Sequence, residues 1–176
     1  MLSVQAPYRW NLRRLHLGFT LDVGCGIGRN LVNLDGRGVG IDHNAQSIAF
    51  AVNRGLTAFT PDEFDNSSFA RPETFDSLLL AHVIEHLTRP AALELLRRYL
   101  PYVRSEGAVV LVTPQERGFR SDRSHVEFVD LTALEAIADE LGLTVRRGYS
   151  FPLPRVFGKL FTYNEFVLVA TPGHES

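Results

Sequence analysis

The sequence predicts an α/β fold in which one sheet is built from repeated strand–helix–strand units. Short β-rich runs alternate with helix-like segments over most of the 176 residues. No internal repeat and no linker rich in Pro, Gly or Ser divides the chain, so residues 1–176 are expected to form a single domain. A hydrophobic content of 45% is sufficient for a core that is stable without crosslinks.

Seven strands are predicted from apolar runs that are rich in β-branched residues. They are Thr20–Val23, Gly38–Ile41, Thr57–Thr60, Ser77–Ala81, Ala108–Thr113, Leu143–Gly148 and Phe166–Ala170. Two of the helices between them are indicated by their end signals. Pro90 suits the first turn of one helix. Thr132 and Glu135 have the spacing of a capping box at the start of another, and Gly142 is placed to end it.

Charge and cysteine content exclude several classes of protein. The formal net charge is -2, which gives no overall attraction to nucleic acid, so we expect no nucleic-acid partner. The single cysteine, Cys25, cannot form an internal disulfide, and the N-terminal segment lacks the continuous apolar core of a signal peptide. No apolar run approaches the length of about 20 residues that a membrane helix needs. A cytoplasmic protein without a membrane partner is expected.

A glycine-rich loop is the strongest local motif. In LDVGCGIGRN, Gly24, Gly26 and Gly28 follow a predicted strand and open a predicted helix. Such a loop lets a nucleoside-containing cofactor lie against main-chain amides, where side chains would collide with it. Arg29 stands where the dinucleotide motif has its third glycine, so an NAD-dependent oxidoreductase is disfavoured. Asp42 ends the next strand, in position to bind ribose hydroxyls. The alternative is a tight turn with Asp42 as a helix cap.

Three motifs together resemble the class I methyltransferases, which have a seven-stranded, Rossmann-like fold and use S-adenosylmethionine. They are LDVGCGIGRN, GVGIDH and FDSLLLAHVIEHL. The resemblance implies a three-layer αβα sandwich with a mostly parallel sheet and a final antiparallel hairpin. It also implies S-adenosyl-L-methionine as cofactor and S-adenosyl-L-homocysteine as product.

The resemblance also implies which residues bind the cofactor. The methionine part would lie near Asp22 and the three loop glycines, and the ribose near Asp42, with His43 beside it. The adenine would lie near Asp62 and Glu63, which follow the third strand. Ala81 and His82 would line the cofactor at the end of the fourth strand, and Arg9 would reach the cofactor carboxylate.

A zinc-protease motif offers a competing interpretation of the histidines. His82, Glu85 and His86 match H-x-x-E-H, in which two histidines on one helical face bind zinc. That motif must lie within a helix, whereas His82 directly follows the buried run SLLLA. We therefore expect no metal centre.

His125 is the candidate general base. It lies in the loop after the fifth strand, which in a Rossmann topology covers the ligand-binding edge of the sheet. Similar methyltransferases carry an H-x-x-F element here, matched by His125 and Phe128, with the histidine facing the transferred methyl group. An imidazole titrates close to neutral pH and can take the proton of an attacking hydroxyl.

The favoured substrate is a small polar molecule that carries a hydroxyl group, such as a saccharide or glycoside. A base is needed to methylate oxygen, and Arg117, Arg120 and Arg123 are suited to binding a polyol or an anionic group. N- or C-methylation by the same fold and non-catalytic binding of S-adenosylmethionine remain alternatives. The aromatic residues of segment 151–163 are typical of core packing or of a homodimer contact.

Overall fold

The computed structural model describes residues 6–173, and the seven predicted strands all lie in one sheet. The strands are β1 (Thr20–Val23), β2 (Gly38–Ile41), β3 (Ala58–Phe59), β4 (Phe75–Ala81), β5 (Val103–Pro114), β6 (Leu143–Phe151) and β7 (Glu165–Pro172). Their order is β3-β2-β1-β4-β5-β7-β6. Strand β7 is antiparallel to β5 and β6, and the other neighbours pair in parallel. The predicted mostly parallel sheet with a C-terminal antiparallel pair is confirmed.

The helices form the layers that cover this sheet. They are α1 (Ala6–Arg14), α2 (Arg29–Asn33), α3 (Ala45–Asn53), α4 (Pro61–Asp65), α5 (Arg89–Tyr99), α6 (Glu116–Ser121) and α7 (Leu131–Glu140). Successive residues of a strand point to opposite faces, so Leu78 and Leu80 of β4 pack in the core with α4, α5 and α7. Leu79 packs in a second core with Leu12 of α1. This two-sided burial produces the predicted three-layer sandwich.

The ends of two helices test the end signals read from the sequence. Pro90 lies in the first turn of α5, as predicted. The capping box predicted for α7 is wrong: Asp130 is the N-cap and its carboxylate accepts a hydrogen bond from the Ala133 amide, so Thr132 lies inside the first turn. Asp130, two residues before Thr132, accepts a hydrogen bond from a first-turn amide of α7 that has no partner within the helix, so the helix begins earlier. Gly142 follows the end of α7 with φ +67°, as predicted for a terminating glycine.

The strand order positions the functional site. The chain passes from β1 to β2 on one side and returns to place β4 on the other, which opens a crevice at the carboxyl ends of β1 and β4. The glycine loop after β1 and the segments that follow β4 and β5 therefore meet at one edge. None of the helices in residues 6–173 combines the length and the apolar character needed to cross a membrane.

Candidate active site

A cavity of about 640 Å³ opens at the carboxyl edge of the sheet. Its walls come from α1, the glycine loop, the end of β4, the segment after β5 and the residues before β7. Among the residues that line it are Tyr8, Gly24, Gly26, His82, His125 and Glu165. Five sequence-distant segments thus share one cavity, as the crevice position predicts.

The three positions of the loop favour glycine for different physical reasons. All have positive φ, at +79° for Gly24, +52° for Gly26 and +79° for Gly28. A Cβ on Gly24 would overlap Val83, and one on Gly28 would overlap Leu56, whereas one on Gly26 would meet nothing within 4 Å. The protein's own side chains thus disfavour a Cβ at Gly24 and Gly28, whereas Gly26 leaves open space. The expected collision of such side chains with a ligand stays a prediction.

The amides of this loop are used inside the protein. Gly24 and Cys25 both donate to the Ile41 carbonyl at 2.8 and 3.0 Å, and the Gly28 amide donates to the Cys25 carbonyl at 2.9 Å. The Gly26 amide donates to Asp42 Oδ2 at 2.8 Å. These four amides therefore already have partners inside the protein, and the expected contact of a cofactor with the main chain of the loop stays a prediction. The loop offers close approach, and its own hydrogen bonds fix its shape.

Asp42 ties the loop to the end of β2. Besides the Gly26 amide, its carboxylate accepts the Asn44 amide on Oδ1 at 2.8 Å. Each carboxylate oxygen has a second lone pair, so the side chain can still accept hydrogen bonds from a ligand. It does not cap α3, because the Asn44 side chain accepts the amides of Gln46 and Ser47. The imidazole of His43 next to it is exposed, with Nδ1 3.6 Å from Asp42 Oδ1.

Asp22 is a buried carboxyl group beneath the loop. Its Oδ1 accepts a hydrogen bond of 3.4 Å from Asn30 Nδ2, and its Oδ2 has no hydrogen-bond partner among the described residues. Burial raises the pKa of Asp22 to about 7; the Asn30 hydrogen bond opposes this rise and the charge of Asp42 adds to it. Asn30, which lines the cavity, is the last residue of LDVGCGIGRN, but the sequence analysis assigned it no role.

Most of the predicted cofactor residues are not among those that line the cavity; the seven are Arg9, Asp22, Gly28, Asp42, His43, Asp62 and Glu63. Glu63 Oε2 accepts hydrogen bonds from the amide and hydroxyl of Thr60, which forms a capping box for α4. Asp62 lies beside it in the first turn of α4, after β3. Arg9 is exposed on α1, while Tyr8 and Asn11 of the same helix line the cavity. The predicted contacts of all seven residues with the cofactor stay predictions.

His82 forms an ion-pair network with two glutamates. It follows β4 with φ +60°, its Nδ1 lies 3.1 Å from Glu85 Oε1 and its Nε2 lies 2.7 Å from Glu165 Oε1. Burial alone would lower the pKa of His82, but the hydrogen bonds with Glu165 and Glu85 outweigh it and raise the pKa above its ordinary value. Glu165 was missed in the sequence, because it is 83 residues away from His82 and belongs to no motif. Ala81, the last residue of β4, lines the cavity, and its contact with the cofactor stays a prediction.

The H-x-x-E-H segment does not form the zinc-protease arrangement. Residues Ile84–His86 make one turn of 3₁₀ helix directly after the strand end, so His82 and His86 do not share a helical face. This agrees with the sequence argument against a metalloprotease.

His125 lies in the cavity wall with a defined orientation. Its Nδ1 is 2.6 Å from the Phe119 carbonyl oxygen, and its ring stacks on Phe119 with centroids 5.1 Å apart. A carbonyl oxygen only accepts hydrogen bonds, so Nδ1 carries the proton and the lone pair is on Nε2. The His86 ring lies beside it, with centroids 4.7 Å apart.

The arginine series does not line the cavity. Arg117, Arg120 and Arg123 are exposed, and Arg117 Nε donates to Thr162 Oγ1 at 3.2 Å. Ser121 and Asp122, from the same segment, do line it. A role of the arginines in binding a substrate stays a prediction.

The family model described as a methyltransferase domain matches residues 18–147. The chain belongs to the methyltransferase domain family. This confirms the predicted membership and the expectation of a transferase. The match covers the glycine loop, Asp42 and His125, which are the residues on which the sequence analysis relied. No curated protein matches the chain.

Solved structures confirm the methyltransferase fold. An S-adenosylmethionine-dependent methyltransferase from Archaeoglobus fulgidus is 19% identical, with a TM-score of 0.73 over 93% of this chain and 92% of that one. A methyltransferase from Haloferax volcanii, in complex with the activator Trm112, is 17% identical, with a TM-score of 0.72 over 97% and 90%. Magnesium protoporphyrin IX methyltransferase from Synechocystis PCC 6803, with bound S-adenosylmethionine, is 11% identical, with a TM-score of 0.66 over 97% and 82%.

Proposed function

We propose that this methyltransferase transfers the methyl group of S-adenosylmethionine to a hydroxyl group of a small polar substrate, with a saccharide or glycoside as the favoured acceptor. The family and the fold support the cofactor, as the sequence predicts. One observation supports oxygen as the acceptor atom: His125 presents an Nε2 lone pair from the cavity wall, with its tautomer fixed by Phe119.

In this proposal the cofactor occupies the end of the cavity next to the glycine loop. Gly26 has open space where a side chain would stand, which allows a ligand to approach the backbone. Asp42 has lone pairs left for the ribose hydroxyls. Asp22, whose Oδ2 has no hydrogen-bond partner among the described residues, is buried beneath the loop on which the methionine part would lie.

His125 would act on the acceptor. The Nε2 atom takes the hydroxyl proton while the acceptor oxygen attacks the methyl carbon. A new O–CH₃ bond forms, and the S–CH₃ bond breaks with its electron pair going to sulfur. S-adenosylmethionine supplies the methyl group on an electron-deficient sulfonium. One general base typically raises the rate ~10²–10⁴-fold, which corresponds to about 3–5 kcal/mol of activation free energy. Aligning the reactants lowers the activation free energy by more, about 7–11 kcal/mol.

The test uses S-adenosylmethionine labelled in its methyl group, with panels of sugars, glycosides, amines and carbon acids. Label transferred to a hydroxyl supports the proposal, whereas label transferred only to nitrogen or carbon contradicts O-methylation. Binding of S-adenosylhomocysteine without any transfer indicates a non-catalytic binding protein.

The role of His125 is tested with His125→Ala on the best acceptor. We expect kcat to fall ~10²–10⁴-fold and the affinity for S-adenosylhomocysteine to stay unchanged. His16→Asn is the matched control, because His16 is exposed with φ +52°, a conformation that Asn tolerates. An unchanged kcat in His125→Ala contradicts the assignment.

A cytoplasmic location and a homodimer stay predictions. The only cysteine, Cys25, is buried, and burial raises the pKa of its thiol, which disfavours the reactive thiolate.

A further inference from the structure

The side chains of Glu85, His86 and His125 converge at the cavity wall. One potential ligand atom from each of Glu85, His86 and His125 lies within 4.8 Å of the others. The two segments that carry them are joined by the backbone, because the amides of Val126 and Glu127 both donate to the Glu85 carbonyl, at 2.8 and 3.2 Å. The cluster is thus held together before any ligand binds.

The two histidines are oriented in the same way. His125 Nδ1 donates to the Phe119 carbonyl at 2.6 Å. His86 Nδ1 lies 3.3 Å from the Ser124 carbonyl oxygen and 3.2 Å from Ser124 Oγ, whose own hydroxyl proton is donated to Asp122 Oδ1 at 2.6 Å. Both rings therefore carry the proton on Nδ1 and have a lone pair on Nε2. Histidines that bind metal ions have this arrangement, in which the second ring nitrogen donates to a carbonyl or carboxylate.

Glu85 has an unsatisfied oxygen. The residue is fully buried at 0% exposure, and its Oε1 lies 3.1 Å from His82 Nδ1. Its Oε2 has no hydrogen-bond partner among residues 6–173. A buried carboxylate oxygen without a donor is costly, and a cation at the cluster removes that cost.

We infer that Glu85, His86 and His125 bind one divalent transition-metal ion. Two imidazoles and one carboxylate favour Zn²⁺, Co²⁺ or Fe²⁺, whereas Mg²⁺ and Ca²⁺ prefer oxygen ligands. Three protein ligands leave a coordination position open to the cavity. This set differs from the H-x-x-E-H pair, because His125 replaces His82. It also revises the sequence expectation of no metal centre, since His125 is 39 residues from His86 in the chain.

The role of the ion in the reaction rests on the proposed function. Glu85, His86 and His125 would hold the ion, and it would make the proton of a bound acceptor hydroxyl more acidic. The proton passes to solvent water as the oxygen forms its bond to the methyl carbon and the S–CH₃ bond breaks. His125 Nε2 is then a metal ligand, and the ion replaces the histidine as the group that activates the acceptor.

Metal binding is tested on the full chain after treatment with a chelator and without S-adenosylmethionine. Co²⁺ is titrated and its visible d–d absorption followed, with Zn²⁺ as competitor. We expect one equivalent of Co²⁺ to bind to the wild type and to the control His16→Asn, and Zn²⁺ to displace it. In His125→Ala and Glu85→Gln the affinity is expected to fall about tenfold or more.

Circular dichroism establishes that each variant is folded. If Glu85→Gln does not fold, His125→Ala, altered in a loop on the cavity wall, decides the test. The inference is overturned if the wild type gives no Co²⁺ spectrum, or if the folded variants bind Co²⁺ as tightly as the control.

A separate assay distinguishes failure of the metal role from failure of the proposed function. Transfer of labelled methyl to hydroxyl acceptors is measured with chelated protein and with protein reloaded with Zn²⁺. Restored transfer on reloading supports the metal role, and full transfer by chelated protein overturns it. If Co²⁺ binds at these residues but no hydroxyl is methylated with or without metal, the proposed function fails and the metal site stands.

Discussion

Substitution of Gly24 and of Gly26 by alanine separates the structural role of the glycine loop from its role in binding. Both residues have positive φ, so a side chain costs about 1–2 kcal/mol at either position. At Gly24 the new Cβ also overlaps Val83, which packs against the main core, and overpacking costs about 1–3 kcal/mol. Gly24→Ala is therefore expected to destabilise the protein by about 2–5 kcal/mol in total.

Gly26→Ala is expected to cost only the conformational part, about 1–2 kcal/mol. Its Cβ meets nothing within 4 Å, so it projects into space that the proposed cofactor needs. We expect the affinity for S-adenosylhomocysteine to fall about tenfold or more, which corresponds to about 1.4 kcal/mol of binding free energy.

Urea unfolding and isothermal titration calorimetry measure the two effects. Val83→Ala removes the overlapping methyl groups. The free energy of unfolding of the double variant Gly24→Ala/Val83→Ala should therefore be about 1–3 kcal/mol higher than the value expected by adding the two single losses. The reasoning is refuted if Gly26→Ala binds S-adenosylhomocysteine like the wild type, or if the Val83 substitution gives no recovery.

Three further predictions concern polar groups of the site and its supports. The raised pKa of Asp22, about 7 against an ordinary 3.8, means that the folded protein holds a proton which the unfolded chain has lost between those values. The free energy of unfolding should therefore fall as pH rises through this window, by up to about 1.4 kcal/mol per pH unit relative to Asp22→Asn. If urea unfolding gives the same pH dependence of this free energy for both proteins, the prediction is contradicted. Asp42→Ala should weaken binding of S-adenosylhomocysteine by about 1.5–3 kcal/mol per lost charge-assisted hydrogen bond, and a loss no larger in calorimetry than that of His125→Ala contradicts the ribose assignment. Asn164 is fully buried and its amide oxygen accepts the Leu153 amide at 2.9 Å, so Asn164→Ala should lower Tm and cost about 1–3 kcal/mol in urea unfolding for each partner left unsatisfied.

The sheet was predictable because its signal is local. The predicted bounds of β1 and β2 agree with the structure, since each strand is a short, fully buried run that ends before turn residues. Strand β5 begins at Val103, five residues before the predicted start, because Val103 already pairs with Phe75 of β4. Arg104 and Glu106, which follow it, are exposed. Exposed charged residues give no apolar pattern, so this extension could not be recognised.

The site was predictable only where one segment carries the chemistry. The glycine loop and His125 are visible as local patterns, and both line the cavity. The contact of His82 with Glu165 joins residues 83 positions apart, and no spacing rule connects them. The sequence also could not show why position 24 requires glycine. The reason is the overlap of a Cβ with Val83, and Val83 comes close only because β4 lies beside β1 in the sheet.

A crystal structure of the protein with S-adenosylhomocysteine tests the account most directly. We expect the ligand to pass over Gly26 with its ribose on Asp42, and its sulfur to face the part of the cavity that His86 and His125 line. The account is contradicted if the ligand lies elsewhere, or if its sulfur faces away from these histidines.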